Sequence, residues 1–240
     1  MSSPVIFVHI PKTAGTTLIS VLESEYERVW GIDGHRLERH RRFSGEAERD
    51  GVRAFAGHMP HGLHALLNDT YAYVTLLRGP VERIASHYQA VLRHPESPLH
   101  DELVSNRMGP ADYVRRHSGG RWFNNGQTRL LGGTWSDPER PADAETLEAA
   151  KRNLRSFAVA GLMERFDDSV ELMRRRLGWG AVTYRRRNVV RRTPIVSDLD
   201  RETRKTIVAA NALDMELYRW AEIRLAERLD RELARRPALG

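Results

Sequence analysis

Short apolar segments alternate with helical patterns along this 240-residue chain, and this alternation constrains its fold more than any other feature. Strands are predicted at Val5 to Ile10, Arg53 to Gly57, Tyr71 to Leu77 and residues 157–162. Helices are predicted from Thr16, from Pro80, over 143–156 and 167–177, and from Asp198 to about Arg235. Residues 31–52 and 94–110 lack a clear period and are predicted to be surface segments. The alternation predicts one α/β domain over residues 1–240, with a central, mainly parallel sheet flanked by helices.

The first strand runs into FVHIPKTAGTT, residues 7–17, which has the make-up of a phosphate-binding loop. Lys12 precedes the single glycine, Gly15, so the segment does not match the G-x-x-x-x-G-K-[ST] loop of nucleoside triphosphatases. A strand-to-helix loop with a glycine exposes backbone N–H groups at a helix N-terminus, and these favour an anion. The alternative is a helix cap at Thr16 or Thr17 beside a solvated lysine. The predicted anion-binding residues are Lys12, Thr13, Ala14, Gly15, Thr16 and Thr17.

A second candidate site follows the strand at Tyr71 to Leu77, in the segment LRGPVERIASHY. Arg78 leaves the strand end, and Arg83 and Ser86 are three residues apart on the next helix, hence on one face. Two arginines and a hydroxyl around a helix start suit a second phosphate. A charged surface helix in which Glu82 pairs locally explains the pattern equally well.

A third candidate lies in AGHMPHGLH, where His58 stands just past a strand end. A histidine there suits a catalytic base, because its ordinary pKa of about 6.5 allows it to take up a proton near neutral pH. The three-residue spacing of His58, His61 and His64 also raises a metal site. That alternative is disfavoured, because Pro60 and Gly62 interrupt any regular helix and no acidic partner is nearby.

Composition excludes several classes of protein. Without cysteine there is no disulfide framework, thiolate metal site or cysteine nucleophile. A net charge of +6 suggests a nucleic-acid binder, but 32 acidic residues are spread among 38 basic ones. All the basic residues but three are arginine, so a lysine inside the phosphate loop indicates a need for a compact charge. No apolar run approaches the roughly 18 residues of a membrane helix, and the start does not resemble a secretory signal, so a cytoplasmic protein is expected.

The first two segments together resemble the cofactor signature of the sulfotransferases, in particular the family that includes the heparan-sulfate 2-O-type enzymes and many bacterial relatives. The resemblance continues through GHMPHGL, NNGQTRLLGG (124–133), GLMERFDDSVELMRRRLG (161–178) and LDMELYRWA (213–221). Two departures are local. Gly79 stands where many relatives have an aspartate that would brace Arg78, and Ala56 stands where some animal members have a second histidine, which leaves His58 alone as the base.

This resemblance implies a P-loop-like fold and a donor, PAPS (3′-phosphoadenosine 5′-phosphosulfate). The loop at HIPKTAGTT would bind the 5′-phosphosulfate, and Arg78 and Ser86 would bind the 3′-phosphate. Residues 185–192 would close over the nucleotide, with Asn188 near the 3′-phosphate. Lys12 would neutralise the leaving phosphate while His58 takes the proton of the attacking hydroxyl, and no metal is required.

The acceptor is the least determined part of the sequence. The resemblance favours a hydroxyl on a carbohydrate or glycoconjugate, although a lipid head group, a small metabolite or a peptide tyrosine remains open. The loops at 94–110 and 121–133 are the expected contacts, and an equal alternative is that their polar residues only cap local helices. Two other functions stay open: a kinase or nucleoside triphosphatase with a variant loop, and a non-catalytic polyanion binder. The predicted acceptor-binding residues are Arg121, Asn125, Gln127 and Arg129.

Overall fold

The computed structural model describes residues 2–33, 51–67, 70–135, 137, 139–185 and 199–233, and it contains a five-stranded sheet. The strand order is β2-β3-β1-β4-β5, and every neighbouring pair is parallel. This confirms the α/β class and the parallel central sheet. The strands are β1 (Val5–Val8), β2 (Val29–Asp33), β3 (Ala54–His58), β4 (Ala72–Leu77) and β5 (Val159–Leu162).

Helices cover the sheet and surround its carboxyl edge. We number those in the described ranges α1 (Gly15–Glu25), α2 (Pro80–Arg93), α3 (His100–Ser105), α4 (Pro110–His117), α5 (Gly126–Gly132), α6 (Ala144–Ser156), α7 (Phe166–Leu177), α8 (Arg201–Ala210) and α9 (Ala212–Leu233). Short 3₁₀ turns occupy Leu63–Leu66 and Met163–Arg165.

The central strand β1 is buried along its whole length, as expected of a parallel strand covered on both faces. In register, Val8 lies opposite Gly57 of β3 and Thr75 of β4, and the Thr75 hydroxyl donates to the Val8 carbonyl oxygen at 2.8 Å. From β1 the chain continues to β2 on one side, whereas from β4 it continues to β5 on the other. The order therefore reverses between β1 and β4, which is where open α/β sheets bind their ligands.

Two apolar cores hold this arrangement. The larger core surrounds the sheet, and the smaller one lies between α2, α4 and α8, where Ile84, Tyr113 and Ile207 are buried. Helix α9 packs on the edge strand β5 and on α5 and α6, so it connects that edge of the sheet to the helices that follow the carboxyl-edge loops.

Several elements differ from the sequence-based expectation. The surface segment expected at 31–52 overlaps the edge strand β2, and α3 lies inside the loop expected at 94–110. The long C-terminal helix is interrupted at Asn211, which is fully buried and whose Nδ2 donates to the Ile207 carbonyl oxygen. These differences arise from contacts between residues far apart in the chain, which a local hydrophobic pattern does not contain.

Candidate active site

The loop after β1 passes through two left-handed residues before α1 begins. Lys12 and Ala14 have φ angles of 70° and 66°, a conformation that destabilises a non-glycine residue by about 1–2 kcal/mol. In this described part of the chain, the N-cap residue Ala14 makes no side-chain capping bond and the first turn of α1 carries no acid. The amides at the start of α1 are therefore oriented to receive an external anion, and the helix dipole adds to the attraction.

The side chains of this loop divide between the interior and the surface. Thr13 is fully buried, and its Oγ1 donates to the Ile10 carbonyl oxygen at 2.7 Å. Thr17 is also buried, whereas Thr16 is exposed in the first turn of α1. The Thr13 hydroxyl, expected to donate to the anion, therefore braces the loop instead, and the Thr13 amide is what this residue can offer a ligand.

His58 ends β3 directly beside this loop. Its ring lies 4.3 Å from the ring of His9, centroid to centroid, and 5.9 Å from that of Trp122 in an edge-on arrangement. The ring of His9 also packs against Gly15, where a Cβ atom would overlap the imidazole. A single ring therefore separates His58 from the first residue of α1.

The hydrogen bonding of His58 determines which nitrogen is basic. Nδ1 lies 2.7 Å from the His9 carbonyl oxygen, and a carbonyl can only accept, so Nδ1 carries a proton. In the neutral ring Nε2 is then the basic nitrogen, which suits a general base held in one orientation. Burial, with smaller contributions from His58 and Lys12, lowers the pKa of His9 to about 3, so His9 itself is neutral and weakly basic.

Arg78 links this loop to the one after β4. Its Nη1 donates to the Lys12 carbonyl oxygen at 3.0 Å. The side-chain amide of Gln127 holds the Arg78 backbone from both sides, accepting from the N–H at 3.1 Å and donating to the C=O at 2.9 Å. Burial lowers the pKa of the Arg78 guanidinium, while Glu164 and Glu82 oppose that shift.

Glu164 supplies a carboxylate next to Gly79, the position that departs from the family pattern. Its Oε1 accepts from the Gly79 N–H at 3.0 Å. A Cβ at Gly79 would overlap the Glu82 carboxylate and would lie 3.5 Å from Oε1 of Glu164. Two glutamates from other positions thus provide the negative charge that an aspartate after the arginine would have brought.

Arg83 does not belong to the second phosphate site, so that part of the expectation is wrong. It is fully buried, and its Nη2 donates to the Trp122 carbonyl oxygen at 2.9 Å and lies 3.4 Å from Oδ2 of Asp214. Ser86 is half-buried on α2 and makes no hydrogen bond to another described side chain or backbone group. Ser86 therefore keeps its hydroxyl for a ligand, whereas Arg83 has a structural partner.

Asn125 and Asp214 cap each other's helices. Asn125 Oδ1 accepts from the N–H groups of Leu213 and Asp214 at the start of α9. Asp214 in turn accepts from the N–H groups of Gln127 and Thr128 at the start of α5. Both expected acceptor contacts, Asn125 and Gln127, are therefore buried and engaged in positioning Arg78 and the helices around it. No local sequence signal indicates Asp214, because its partners lie more than eighty positions away.

The remaining expected acceptor residues are Arg121, which lies beside a pair of tryptophans, and Arg129. Trp122 contacts both His58 and Trp135, and Arg121 lies over Trp135 with Nη1 donating to its carbonyl oxygen at 3.1 Å. Arg129 is only 3% exposed, and its Nε and Nη1 have no hydrogen-bond partner among the described residues. Burial and then Arg121 lower the pKa of Arg129, and only Asp137 opposes them.

A model of the sulfotransferase family matches residues 2–221. The chain belongs to that family. It is 24% identical, over 268 aligned residues and 91% of its length, to heparan-sulfate 6-O-sulfotransferase 2 of Homo sapiens, Mus musculus and Gallus gallus. The alignments cover 44%, 43% and 66% of those proteins, so the chain spans less than half of the mammalian relatives and about two thirds of the chicken one.

The comparisons confirm the expected sulfotransferase family but not the narrower 2-O type, because these relatives are 6-O enzymes. The expected nucleotide contact Asn188 lies outside the described residues. In the part of the chain that is described, no group of three or more His, Asp or Glu side chains could hold a metal ion. Over the same ranges, no helix has the length and apolar character needed to cross a membrane.

We expect this protein to lose stability as the pH falls below about 6.5. Burial lowers the pKa of His9 to about 3 and that of His87 to about 4, so both rings are neutral when folded but protonate in the unfolded chain. Each contribution is fully present above the unfolded pKa of about 6.5 and is lost at about 1.4 kcal/mol per pH unit until the folded pKa is reached. Denaturant unfolding between neutral pH and about pH 5 measures this loss. His87→Gln should flatten the dependence, and an equally steep curve in that variant would exclude His87 as a source.

Proposed function

We propose that this protein transfers a sulfuryl group from PAPS to a hydroxyl of a carbohydrate. One observation carries the proposal. The hydrogen bond from Arg78 to the Lys12 carbonyl joins the two candidate anion-binding loops where the strand order reverses, between β1 and β4, and His58 lies beside them. Membership of the sulfotransferase family supports the donor and the reaction, and the names of the relatives support a carbohydrate acceptor.

The loop after β1 would bind the 5′ end of the donor. The amides around Ala14 and Gly15 and the hydroxyl of Thr16 would hold the phosphosulfate, with Lys12 supplying full charge. Arg78 uses one N–H for the Lys12 carbonyl and retains others for the 3′-phosphate, where the hydroxyl of Ser86, which has no described partner, would join it. Asn188 stays part of this proposal as a contact near the 3′-phosphate.

In the proposed transfer, the acceptor oxygen forms a bond to sulfur as the bond from sulfur to the 5′-phosphate oxygen breaks. The hydroxyl proton passes to Nε2 of His58, whose Nδ1–H remains bonded to the His9 carbonyl. The charge that develops on the leaving phosphate is neutralised by Lys12 and the amides at the start of α1. The chain contributes mainly alignment and charge, as in phosphoryl transfer, which has similar requirements.

Arg121 and Arg129 would hold a negative group of the acceptor, with Arg121 beside Trp135 and next in sequence to Trp122, whose ring contacts His58. The relatives are 6-O enzymes, whereas the motifs resemble those of 2-O enzymes. Structural analysis of the sulfated product is the measurement that identifies which hydroxyl is modified. A cytoplasmic location is also part of the proposal, and cell fractionation tests it.

Titration of the protein with 3′-phosphoadenosine 5′-phosphate (PAP), AMP, ATP and an oligonucleotide tests the donor assignment. PAP should bind far more tightly than AMP, because each charge-assisted hydrogen bond to the 3′-phosphate contributes about 1.5–3 kcal/mol. Radiolabelled PAPS with a panel of glycans, phenols and lipids then identifies the acceptor class. Equal affinity for PAP and AMP, or preference for ATP, would remove the sulfotransferase assignment of these loops.

Gln127→Leu should weaken PAP binding although Gln127 does not contact the nucleotide. The change removes both hydrogen bonds to the Arg78 backbone, and each buried group left unpaired is destabilised by about 1–3 kcal/mol. Asn153→Leu is the matched control, because its Nδ2 donates to the Leu131 carbonyl at the other end of α5. Calorimetry should show reduced PAP affinity for Gln127→Leu alone. Equal PAP affinity of the two variants would mean that the hydrogen bonds of Gln127 to Arg78 stabilise the fold without positioning Arg78 for the nucleotide.

Arg129→Met should stabilise the protein while weakening acceptor binding. A buried guanidinium whose Nε and Nη1 have no described partner destabilises the folded state, so its removal should raise the free energy of unfolding by about 1–3 kcal/mol. The KM for an acidic acceptor should rise while PAP affinity stays unchanged. A variant that is more stable and retains the wild-type KM would exclude Arg129 from the acceptor site.

A further inference from the structure

A cleft of about 420 Å³ lies between the C-terminal half of α9 and the ends of α6 and α7. Phe157, just before β5, and Arg176, at the end of α7, place this cleft toward the amino edge of the sheet. The candidate active site is at the carboxyl edge, after β1, β3 and β4. The cleft is therefore a separate feature of the surface, which we call the arginine cleft.

Positive charge dominates the arginine cleft. Among its described lining residues the one acid is Glu232, which accepts a hydrogen bond from Nε of Arg176 at 3.0 Å and lies 3.9 Å from Nε of Arg228. Burial and then Arg176 lower the pKa of Arg228, and Glu232 opposes that shift. The arginines that line the cleft are Arg155, Arg176, Arg224, Arg228 and Arg231.

Two of these arginines make no close ion pair with a described carboxylate. Arg155 and Arg231 are exposed and form no ion pair within the described ranges. Arg224 has one partner, Glu227, at 3.3 Å on the exposed side of the helix. An anion in the cleft would meet several guanidinium groups at once, and the planar fork of each matches a sulfate or carboxylate.

The aromatic group of the cleft indicates which polyanion fits. The guanidinium carbons of Arg155 and Arg224 lie 5.3 and 5.5 Å from the centroid of the Trp220 ring. Such contacts hold the arginines in place, and they occupy the ring that a nucleobase would need for stacking. Among the described residues, Phe157 is the one aromatic residue besides Trp220 that lines the cleft, and it is buried. A chain of anionic sugars, which needs charge more than stacking, fits better than a single nucleic-acid strand.

The spacing along α9 also suits a repeating anion. Arg224, Arg228 and Arg231 follow one another at four and three residues, so they form one stripe of the helix. The same helix begins beside the candidate site, where Asp214 caps α5. Asp214 and Arg228 are about 21 Å apart along the helix axis. A polymer can extend over such a distance, whereas a small acceptor cannot.

We propose that the arginine cleft is a second binding site, remote from the reacting atoms, for an anionic polysaccharide. The proposal rests on the proposed function in one respect, that the polysaccharide is the acceptor polymer. A chain held in the cleft is presented to the active site at a raised local concentration, which increases apparent affinity without any new contact at the reacting hydroxyl.

A pair of triple variants tests this site by binding alone. Arg155→Gln/Arg224→Gln/Arg231→Gln removes three exposed charges from the cleft. Arg152→Gln/Arg175→Gln/Arg219→Gln removes three exposed charges from the same three-helix region outside the cleft lining. Fluorescent dextran sulfate is titrated into each protein with saturating PAP present, and uncharged dextran and oligothymidine serve as comparison ligands.

The cleft variant should bind dextran sulfate about tenfold more weakly than the wild type, as expected for three lost exposed charge contacts. The slope of log Kd against log salt should fall by about two. The control variant should keep wild-type affinity, and both variants should keep wild-type PAP affinity.

Equal losses in the two triple variants would overturn the proposal, because the attraction would then be a property of net charge. Oligothymidine binding that is tighter than dextran sulfate binding and is lost in the cleft variant would overturn it in favour of nucleic acid. Failure of the proposed function looks different: PAP would not be preferred over AMP, while the cleft variant would still lose dextran sulfate.

Discussion

His58→Ala should lower kcat by about 10²–10⁴-fold and leave PAP affinity unchanged. In the structure His58 has the attributes of a base, because the His9 carbonyl fixes the proton on Nδ1 and leaves Nε2 basic beside the phosphate loop. His9 does not replace it, since burial lowers the pKa of His9 to about 3. Single-turnover measurements with labelled PAPS separate the transfer step from product release.

The same hydrogen bond allows a rival interpretation, in which His58 only braces the loop. His58→Asn separates the two, because an asparagine Nδ2 can still donate to the His9 carbonyl but cannot take up a proton. A base predicts that the asparagine variant is as slow as the alanine variant and that the acidic limb of the pH–rate profile disappears. Near-normal turnover of His58→Asn would reduce His58 to a brace.

His61 and His64 provide the matched controls for this experiment. His61 packs against Tyr73 and Phe157, and Nδ1 of His64 lies 2.9 Å from the Tyr73 hydroxyl. Both rings are thus engaged with Tyr73, near the start of β4 and away from its carboxyl end. Their alanine variants should keep turnover within a few-fold of the wild type, and a loss equal to that of His58→Ala would move the base to one of them.

The sequence allowed four of the five strands and the loops at the carboxyl edge of the sheet to be predicted, because both depend on local patterns. A buried apolar run marks β1, and the nearby residues Lys12 to Gly15 predict an anion site by their type and spacing. Arg78 and His58 were predicted as site residues for the same reason, since Arg78 follows β4 directly and His58 ends β3.

Roles that depend on distant partners could not be predicted. Arg83 is three residues from Ser86 and shares a helix face by spacing, yet Asp214, 131 positions away, pairs with it in the interior. Gln127 has a polar side chain of the kind that contacts substrates, but it forms hydrogen bonds with the Arg78 backbone, 49 positions away. In both cases a polar residue is buried because a complementary group arrives from another element, and buried polar groups require such partners.

Lys12→Met should lower kcat by about 10²–10³-fold, the effect of removing one preorganised group that stabilises transition-state charge. The loss should exceed the loss of PAP affinity, because the charge of Lys12 is most needed while the leaving oxygen becomes negative. Methionine keeps the length of the side chain, and Lys12→Gly tests whether the left-handed backbone at φ 70° contributes separately. If both variants retain turnover, the leaving phosphate is neutralised by other groups.

Lys12→Arg should also be slow, although it preserves the charge. Lys12 is half-buried, and burial, then Arg93 and Arg78, lower its pKa, so the position is already crowded by cations. A planar guanidinium needs more room than an ammonium group and cannot place its charge at the same point. Because the folded pKa of Lys12 is lowered, wild-type turnover should begin to fall, as the pH rises, at a lower pH than an ordinary lysine would give. The arginine variant should lack that basic limb. Near-normal turnover of this variant would refute the requirement for a compact charge at this position. An unchanged basic limb would show that Lys12 is not the group that titrates.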